Sequence, residues 1–335
     1  MRKILSFFAF VAIVLTFAAC GGNNAPEIKD FTIEMVTLTE QNASFTVTPL
    51  DQNADYFWFV YPKCLYEDCL KRGTVQSEDK FVTDFLASWA EPEIYWQYDK
   101  SIHGKKGTAT IPEEFVLMST GDEYNLQNLC PNCDFRIAVC KIDADKKRVG
   151  KISYLPFKTL MPEGYVDLGL NSGSDGALWN CNYVFENGQA KYYTYNEAIE
   201  KSLNSEDYEE VPFIFHWKKL MEMCDLTWTD DLSSFNDDIR YAGVKGYVAT
   251  SKINGNRIYL PALGGKNKSG SKTGVGTVSV YWARDTHTDD VDSYAWWLPK
   301  SGNYGEQIMP IENSFSLCLI CPTPASWYLG FSIVK

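Results

Sequence analysis

Histidine is scarce in this chain, and the short motifs of common catalytic centres are absent. Among 335 residues there are three histidines, His103, His216 and His287. None of them stands in a metal-ligand or general-base motif such as HExxH, and no GxSxG nucleophile motif occurs. The glycine- and lysine-rich stretch 265–273 is one residue out of register for a phosphate-binding P-loop. The sequence therefore predicts a protein that is not an enzyme.

Positive charge is also in short supply. Lysine and arginine total 31 against 43 aspartate and glutamate residues, which gives a net charge of −12 at pH 7. Such a surface repels phosphate groups, and this argues against nucleic acid or anionic lipid headgroups as partners. After residue 19 no run is long and apolar enough to cross a bilayer. Contact with a membrane is therefore expected only through the amino-terminal segment.

That segment is the most informative part of the chain. Two basic residues, Arg2 and Lys3, precede an apolar run over residues 4–19. The run is shorter than the roughly 20 residues that a transmembrane helix needs, and it ends in small residues. Together these features predict a secretory signal over residues 1–19 that is removed from the mature protein.

The end of the signal resembles the lipobox of bacterial lipoproteins. The residues that carry the likeness are Ala18-Ala19-Cys20 followed by two glycines, with Phe17 where leucine is usual. The resemblance implies cleavage before Cys20, lipidation of that cysteine and a short tether over residues 20–27. It also implies an outer-membrane protein held by lipid at the cell surface. Plain secretion with an incidental Cys20 is the alternative.

Nine further cysteines follow Cys20, an odd number that cannot all pair within one chain. Cys130 and Cys133 have the CxxC spacing of redox sites, but the segment after them alternates like a strand and does not open a helix. With Cys64 and Cys69 they could form a four-thiolate zinc site. Local disulfides or buried free thiols would account for the same cysteines without a metal, and no cofactor is predicted.

Residues 28–160 predict a β-sandwich. Six or seven β-branched or aromatic runs separated by turn residues are typical of that architecture. One helix is predicted after the N-cap Ser77, with Phe81, Val82, Phe85, Leu86 and Trp89 on the face that packs on the sandwich. The segments 43–49, 55–56, 142–145 and 156–159 together resemble fibronectin type III-like modules of bacterial lipoproteins, which implies a spacer or an interaction platform.

Residues 164–335 predict an α+β domain, with two helices followed by many short strands. The first helix is expected at the capping box Thr194-Tyr195-Asn196-Glu197, and the second over residues 213–224. The whole chain is thus predicted to be mainly β, with an α+β carboxyl-terminal domain.

An ordered set of segments in this second half resembles the FISUMP family of Bacteroidetes-type surface proteins. The segments are 165–173, 178–182, 217–224, 227–229, 246–248, 254–261, 280–283, 294–296 and 315–317. The resemblance implies a C-type-lectin-like fold. Two departures are Cys318, where the family usually has arginine in its closing strand, and the additional tail 322–335.

The likeness also bears on two cysteines. Cys181 and Cys224 stand where members of this family often have cysteine, and they could form either a disulfide or a packed pair of free thiols.

An acidic loop and neighbouring aromatic residues are the candidate ligand site. Four carboxylates in eight residues could supply several oxygen ligands to Ca²⁺, although the spacing is not that of an EF-hand, and a plain charged loop is the alternative. Aromatic residues beside the loop could stack on a sugar or could all lie in the core. The candidate residues are Asp285, Asp289, Asp290, Asp292, Trp282, Tyr294 and Trp296.

These features predict a lipid-anchored, non-catalytic binding protein of the cell surface. Its ligand would be a glycan or a surface protein, recognised through the loops of residues 264–306. The alternative is a structural or accessory subunit of a surface or fimbrial assembly, which would bind only other proteins.

Overall fold

The structure is a computed structural model that describes residues 29–89, 104–113, 118–119, 126–127, 129–170, 177–186, 189–203, 209–235, 237–285, 293–310 and 312–322. The described part is mainly β, as predicted. The signal segment, Cys20, the tether, most of the acidic loop and the tail after residue 322 lie outside the described residues. No described helix is long and apolar enough to pass through a membrane.

Within the described residues, the first half contains two larger sheets, one separate pair of strands and two helices. One sheet has the order β1-β2-β5 and the other β4-β3-β8-β9, while β6 and β7 form a separate pair. The strands are β1 Phe31–Leu38, β2 Ala43–Pro49, β3 Asp55–Pro62, β4 Gly104–Lys106, β5 Ala109–Ile111, β6 Met118–Ser119, β7 Leu126–Gln127, β8 Asp134–Ile142 and β9 Arg148–Lys158. The helices are α1 Lys63–Lys71 and α2 Glu78–Trp89.

Both faces of β3 are buried, so the first half has three layers: the first sheet, the sheet that contains β3, and the helices. Tyr56 and Trp58 face the first sheet and join a core with Phe45, Val47 and Ile137. On the opposite face of β3, Phe57, Phe59 and Tyr61 pack against the helices. Successive side chains of β3 therefore point alternately into two different cores. For this reason nearly every residue of this aromatic strand is buried.

The predicted helix is confirmed as α2. The backbone amide of Lys80 in this helix donates to Ser77 Oγ at 3.1 Å, as expected of an N-cap. Phe81, Val82 and Leu86 are buried in the core between the helices and β3. Helix α1 was not predicted, because its sequence has only one fully buried apolar position, Cys69, and no capping side chain. It ends where Gly73 adopts a left-handed φ of 72°.

The second half contains two helices and fourteen short strands within the described residues. The helices are α3 Tyr195–Leu203 and α4 Ile214–Met223. The strands are β10 Ala177–Asn180, β11 Phe185–Glu186, β12 Gln189–Ala190, β13 Tyr193–Thr194, β14 Cys224–Thr229, β15 Gly246–Ser251, β16 Arg257–Pro261, β17 Gly265–Lys266, β18 Lys272–Thr273, β19 Val278–Ala283, β20 Ser293–Pro299, β21 Gly305–Met309, β22 Ser314–Phe315 and β23 Leu319–Pro322.

Local sequence signals for both helices of this half are confirmed. Glu197 accepts from the amide and hydroxyl of Thr194 at 2.7 and 2.9 Å, so the capping box forms where it was predicted. Helix α4 buries Trp217, Leu220 and Met221 on one face, in agreement with their helical spacing.

Most strands of this half pair with their neighbours in sequence, whereas β10-β23 and the order β13-β22-β17 join segments that are distant in sequence. The sheets have the orders β14-β15-β16, β19-β20-β21 and β13-β22-β17-β18, with separate pairs β10-β23 and β11-β12. The pair β10-β23 joins the first and last described strands of the half.

The two halves are connected by a hydrogen-bonded linker. Thr159 Oγ1 donates to the carbonyl of Cys130 at 2.6 Å, and the amide of Cys133 donates to Thr159 Oγ1 at 2.9 Å. Asn132, at a left-handed φ of 52°, donates from its side chain to Asp167 Oδ2 at 2.9 Å. The CxxC segment is thus a turn that holds the linker, and it does not begin a helix.

Candidate ligand-binding surface

The structure places the two central tryptophans of the predicted aromatic platform in the core, so that part of the prediction is wrong. Trp282 is 0% exposed and its indole N–H donates to the carbonyl of Tyr193 at 2.6 Å. Trp296 is 2% exposed and stacks parallel to Trp217 of α4, with ring centroids 6.2 Å apart. Neither ring can stack on a ligand without unfolding of its surroundings.

Two separate cores explain this burial. Strands β19 and β20 are adjacent in one sheet, and both faces of that sheet are covered. Trp296 lies in the core formed with α4, and Trp282 lies in the core formed with α3 and β22. Trp296 and Trp297 point to opposite faces of the sheet, as predicted, but each of them packs against one of the two cores.

The remaining residues of the predicted site are only partly described. Tyr294 is half-buried and packs against the core that contains Trp296, and Asp285 is half-buried. Asp289, Asp290 and Asp292 lie outside the described residues, so the calcium prediction for this loop stays a prediction. Among the residues that the structure does describe, no group of three or more potential metal ligands comes together.

The four-cysteine zinc arrangement does not form. Cys130 and Cys133 lie in the core between the two sheets of the first half, whereas Cys69 lies in the helical core on the other side of β3. Because a layer of sheet separates them, their thiolates cannot surround one ion.

The cysteines of the second half form a different pair from the one predicted. Cys181 and Cys224 are both free thiols, so no disulfide joins the two residues that the family resemblance brought together. The side chain of Cys181 instead forms a hydrogen bond with that of Cys318. Complete burial is the main cause that raises the pKa of Cys318 well above its ordinary value, and the contact with Cys181 adds to it.

We expect Cys181 and Cys318 to form a disulfide when the protein folds in the presence of a disulfide oxidant. Asn180 pairs with Leu319 across β10 and β23, so Cys181 and Cys318 are the next opposed residues of an antiparallel ladder, a separation that a disulfide can span. The two thiols would lose two protons and two electrons, and the oxidant disulfide would be reduced to two thiols. Peptide mapping without reductant measures the linkage.

Replacement of Cys224 by serine serves as the control, and the Cys181–Cys318 peptide should persist in that variant. A linkage of Cys181 to Cys224 in the wild-type protein would contradict the expectation.

A different aromatic cluster is partly exposed, on the sheet formed by β14, β15 and β16. Trp228 and Tyr247 are directly paired across β14 and β15, and their rings meet edge to face with centroids 5.0 Å apart. The Tyr247 hydroxyl donates to the carbonyl of Pro299 at 2.6 Å, which fixes the ring that supports Trp228. Both rings are half-buried, so each keeps part of its surface in solvent.

Charged groups surround the edge of Trp228. Asp230 Oδ1 accepts from the indole N–H at 3.3 Å, and Lys300 and Lys245 place their Nζ atoms 3.2 and 3.4 Å from the same oxygen. Donation by the Trp228 indole, followed by Lys300 and Lys245, lowers the pKa of the Asp230 carboxyl below its ordinary value. Lys300 Nζ also lies 5.3 Å from the centre of the Trp228 ring.

These five residues, Trp228, Tyr247, Asp230, Lys245 and Lys300, are called the Trp228 surface below. It offers an aromatic plane, an ionised carboxylate and two ammonium donors, all reachable from solvent. The sequence did not predict this surface, because Trp228 was part only of the segment 227–229 that carries the family resemblance. The alternation in β14 places Trp228 on the same face as the half-buried Leu226, and Asp225 and Thr227 on the exposed face, so the strand pattern gives no sign of a partly exposed ring.

The described residues also contain a buried carboxyl side chain, that of Glu209, which is 4% exposed. Its two side-chain oxygens accept from the hydroxyls of Tyr165 and Tyr183, each at 2.5 Å, and from the Asn180 side chain at 3.3 Å. Ser202 Oγ donates to the Glu209 carbonyl at 2.8 Å. The network connects four segments of the chain through neutral donors. We therefore expect Glu209 to stabilise the fold.

No protein-family model matches this chain, and no curated protein matches it.

Proposed function

We propose that this protein is a lipid-anchored, non-catalytic binding protein of the bacterial outer-membrane surface. Its first half would be a fibronectin type III-like spacer, and its second half a FISUMP-type, C-type-lectin-like head that recognises a glycan. The two-sheet sandwich and the α+β character of the second half are compatible with these finer assignments.

The observation that carries the binding function is the Trp228 surface. Sugars present apolar C–H faces between hydroxyl groups, and an aromatic plane with polar groups at its edge matches that alternation. Lys300 belongs to the predicted loop region 264–306, whereas Trp228 and Tyr247 come from strands before it. The binding surface is therefore shifted from the predicted aromatic residues Trp282 and Trp296.

Replacement of Trp228 by alanine is expected to weaken glycan binding by about tenfold or more, because a central aromatic contact commonly contributes about 2 kcal/mol. The measurement is binding of the full chain in detergent micelles to an array of neutral and acidic oligosaccharides. Trp228→Phe should retain most of the binding, since it keeps an aromatic plane on Tyr247. The melting temperature of each variant reports whether the fold is intact.

Ile239→Ala is the matched control, because this exposed apolar residue of the same half lies outside the Trp228 surface. It should leave glycan binding unchanged. If no glycan on the array binds the wild-type chain, the lectin function is overturned. If Trp228→Ala binds as the wild type does, the glycan site lies elsewhere.

A second candidate is an accessory subunit of a surface or fimbrial assembly, and exposed apolar residues favour it. Ile239 is 83% exposed and Phe235 39%. Isolated exposed apolar residues are normal, but a pair on neighbouring turns is more typical of a protein contact. Co-purification of one fixed partner protein, lost in Ile239→Ala and retained in Trp228→Ala, would support this candidate over the lectin.

A further inference from the structure

The hairpin of β17 and β18 concentrates positive charge on an otherwise acidic protein. Lys266 and Lys272 are directly opposed across the two strands. Their Nζ atoms lie 4.6 and 5.4 Å from the centre of the same aromatic ring, that of Tyr192. Opposed residues of an antiparallel pair point to the same face of the hairpin, so both ammonium groups share one side of it.

This arrangement places two like charges together. Direct opposition of two lysines across a strand pair is destabilising, and neither Lys266 nor Lys272 forms an ion pair with any residue in the described part of the chain. The Tyr192 ring compensates only in part, because a cation–π contact at an exposed site contributes about 0.5–1 kcal/mol. An oxyanion between the two ammonium groups would remove the repulsion.

The hairpin is also fixed before any ligand arrives. The Tyr192 hydroxyl donates to the carbonyl of Leu263 at 2.9 Å, which holds the ring beneath the lysines. At the tip, Asn267 Oδ1 accepts from the amides of Ser269 and Ser271 at 3.1 and 3.0 Å. A pre-ordered site loses less conformational entropy when it binds, so these contacts favour a ligand role for the pair.

Close packing explains why the base of the hairpin cannot rearrange. A Cβ atom on Gly265 would lie 2.4 Å from the Phe315 ring, and Gly264 has a left-handed φ of 62°. Only glycine at these positions allows β17 to lie against β22. The position of the Lys266–Lys272 pair is thus determined by the core beneath it.

The segment that carries the hairpin contacts Lys300 of the Trp228 surface at its far end. The segment 263–277 begins at the carbonyl that Tyr192 contacts and ends at Thr277, whose carbonyl accepts from the Lys300 amide at 2.8 Å. The segment 263–277 therefore contacts Tyr192 at one end and Lys300 at the other.

We propose that Lys266, Lys272 and Tyr192 form a subsite for the carboxylate or sulfate group of an acidic sugar, an inference that rests on the proposed glycan-binding function. Each ammonium would donate to a different oxygen of the anion, and the tyrosine ring beneath them would hold the two ammonium groups on one side of the hairpin. The ligand class is thereby narrowed from glycans in general to those that carry uronic acid or sulfate groups.

The test compares a chondroitin sulfate oligosaccharide with its desulfated, carboxyl-reduced counterpart, using the full chain in detergent micelles and calorimetry. The acidic oligosaccharide should bind at least about tenfold more tightly than the neutral one, because hydrogen bonds between charged groups are stronger than those between neutral groups. Lys266→Gln combined with Lys272→Gln should abolish that preference. Lys71→Gln, an exposed lysine of the first half, is the matched control and should preserve it.

The outcomes separate the two proposals. Binding of both oligosaccharides with equal affinity would overturn the acidic subsite and leave the glycan function intact. Binding of neither would overturn both. Vesicles that contain phosphatidylglycerol serve as a competing source of anions: lysine-dependent binding to these vesicles without oligosaccharide binding would overturn the acidic-sugar assignment in favour of a lipid surface.

Discussion

Replacement of Cys20 by alanine is expected to release the protein from the membrane fraction and to abolish incorporation of a labelled fatty acid. Acyl chains bind a bilayer by about 0.8 kcal/mol for each buried CH₂ group, so three chains make the attachment effectively permanent. The variant lacks the thiol that would carry the lipid. Fractionation of cells grown with an alkyne-labelled palmitate measures both effects.

Cys64→Ala is the control for this experiment, because Cys64 is a half-buried thiol at the start of α1, far in sequence from the lipobox. It should remain labelled and membrane-bound. If Cys20→Ala still incorporates the label, another residue carries the lipid. Wild-type protein in the cytosol with an uncleaved leader would remove the basis of the surface function.

Replacement of Glu209 by alanine is expected to reduce the free energy of unfolding by about 3 kcal/mol. The hydroxyls of Tyr165 and Tyr183 and the buried Asn180 amide would lose their shared acceptor, and the loss costs most where water cannot replace that acceptor. For a domain of this size, that loss corresponds to a decrease of roughly 10 °C in melting temperature. Calorimetry of the full chain measures it.

Two further variants show whether the carboxyl group itself is responsible. Glu209→Gln keeps one acceptor oxygen but presents an amide to the other tyrosine, so an intermediate loss is expected. Glu200→Ala, an exposed glutamate of α3, should change the melting temperature little. A Glu209→Ala protein that is more stable than the wild type, with reduced glycan binding, would show that Glu209 is a functional group held at a cost in stability.

The elements that depend on local signals were predictable. The capping box at Thr194 and Glu197 and the Ser77 cap act within one helical turn, so their effect does not depend on distant residues. Helix α4 was predictable for the same reason, because the spacing of Trp217 and Leu220 by itself defines an apolar face. Helix α1 was not predicted, because it is stabilised by packing against β3, and that packing is not visible in the local sequence.

The candidate site was less predictable, because burial of an aromatic ring depends on what covers it. Trp282, Trp296 and Trp228 all occupy strands with aromatic neighbours. The first two have helices and strands on both sides of their sheet, while Trp228 has solvent at its edge. Their sequence surroundings do not differ in a way that reveals this.

The amino-acid sequence by itself determined the β-rich character of the chain, the positions of three of its helices and the alternation within its strands, since all of these follow from the spacing of neighbouring residues. Only the tertiary structure decided which rings are exposed, that Cys181 lies beside Cys318, and that Lys266 and Lys272 share the ring of Tyr192. The physical reason is that each of these relations joins residues far apart in the chain. Such residues become neighbours only when strands pair and sheets pack.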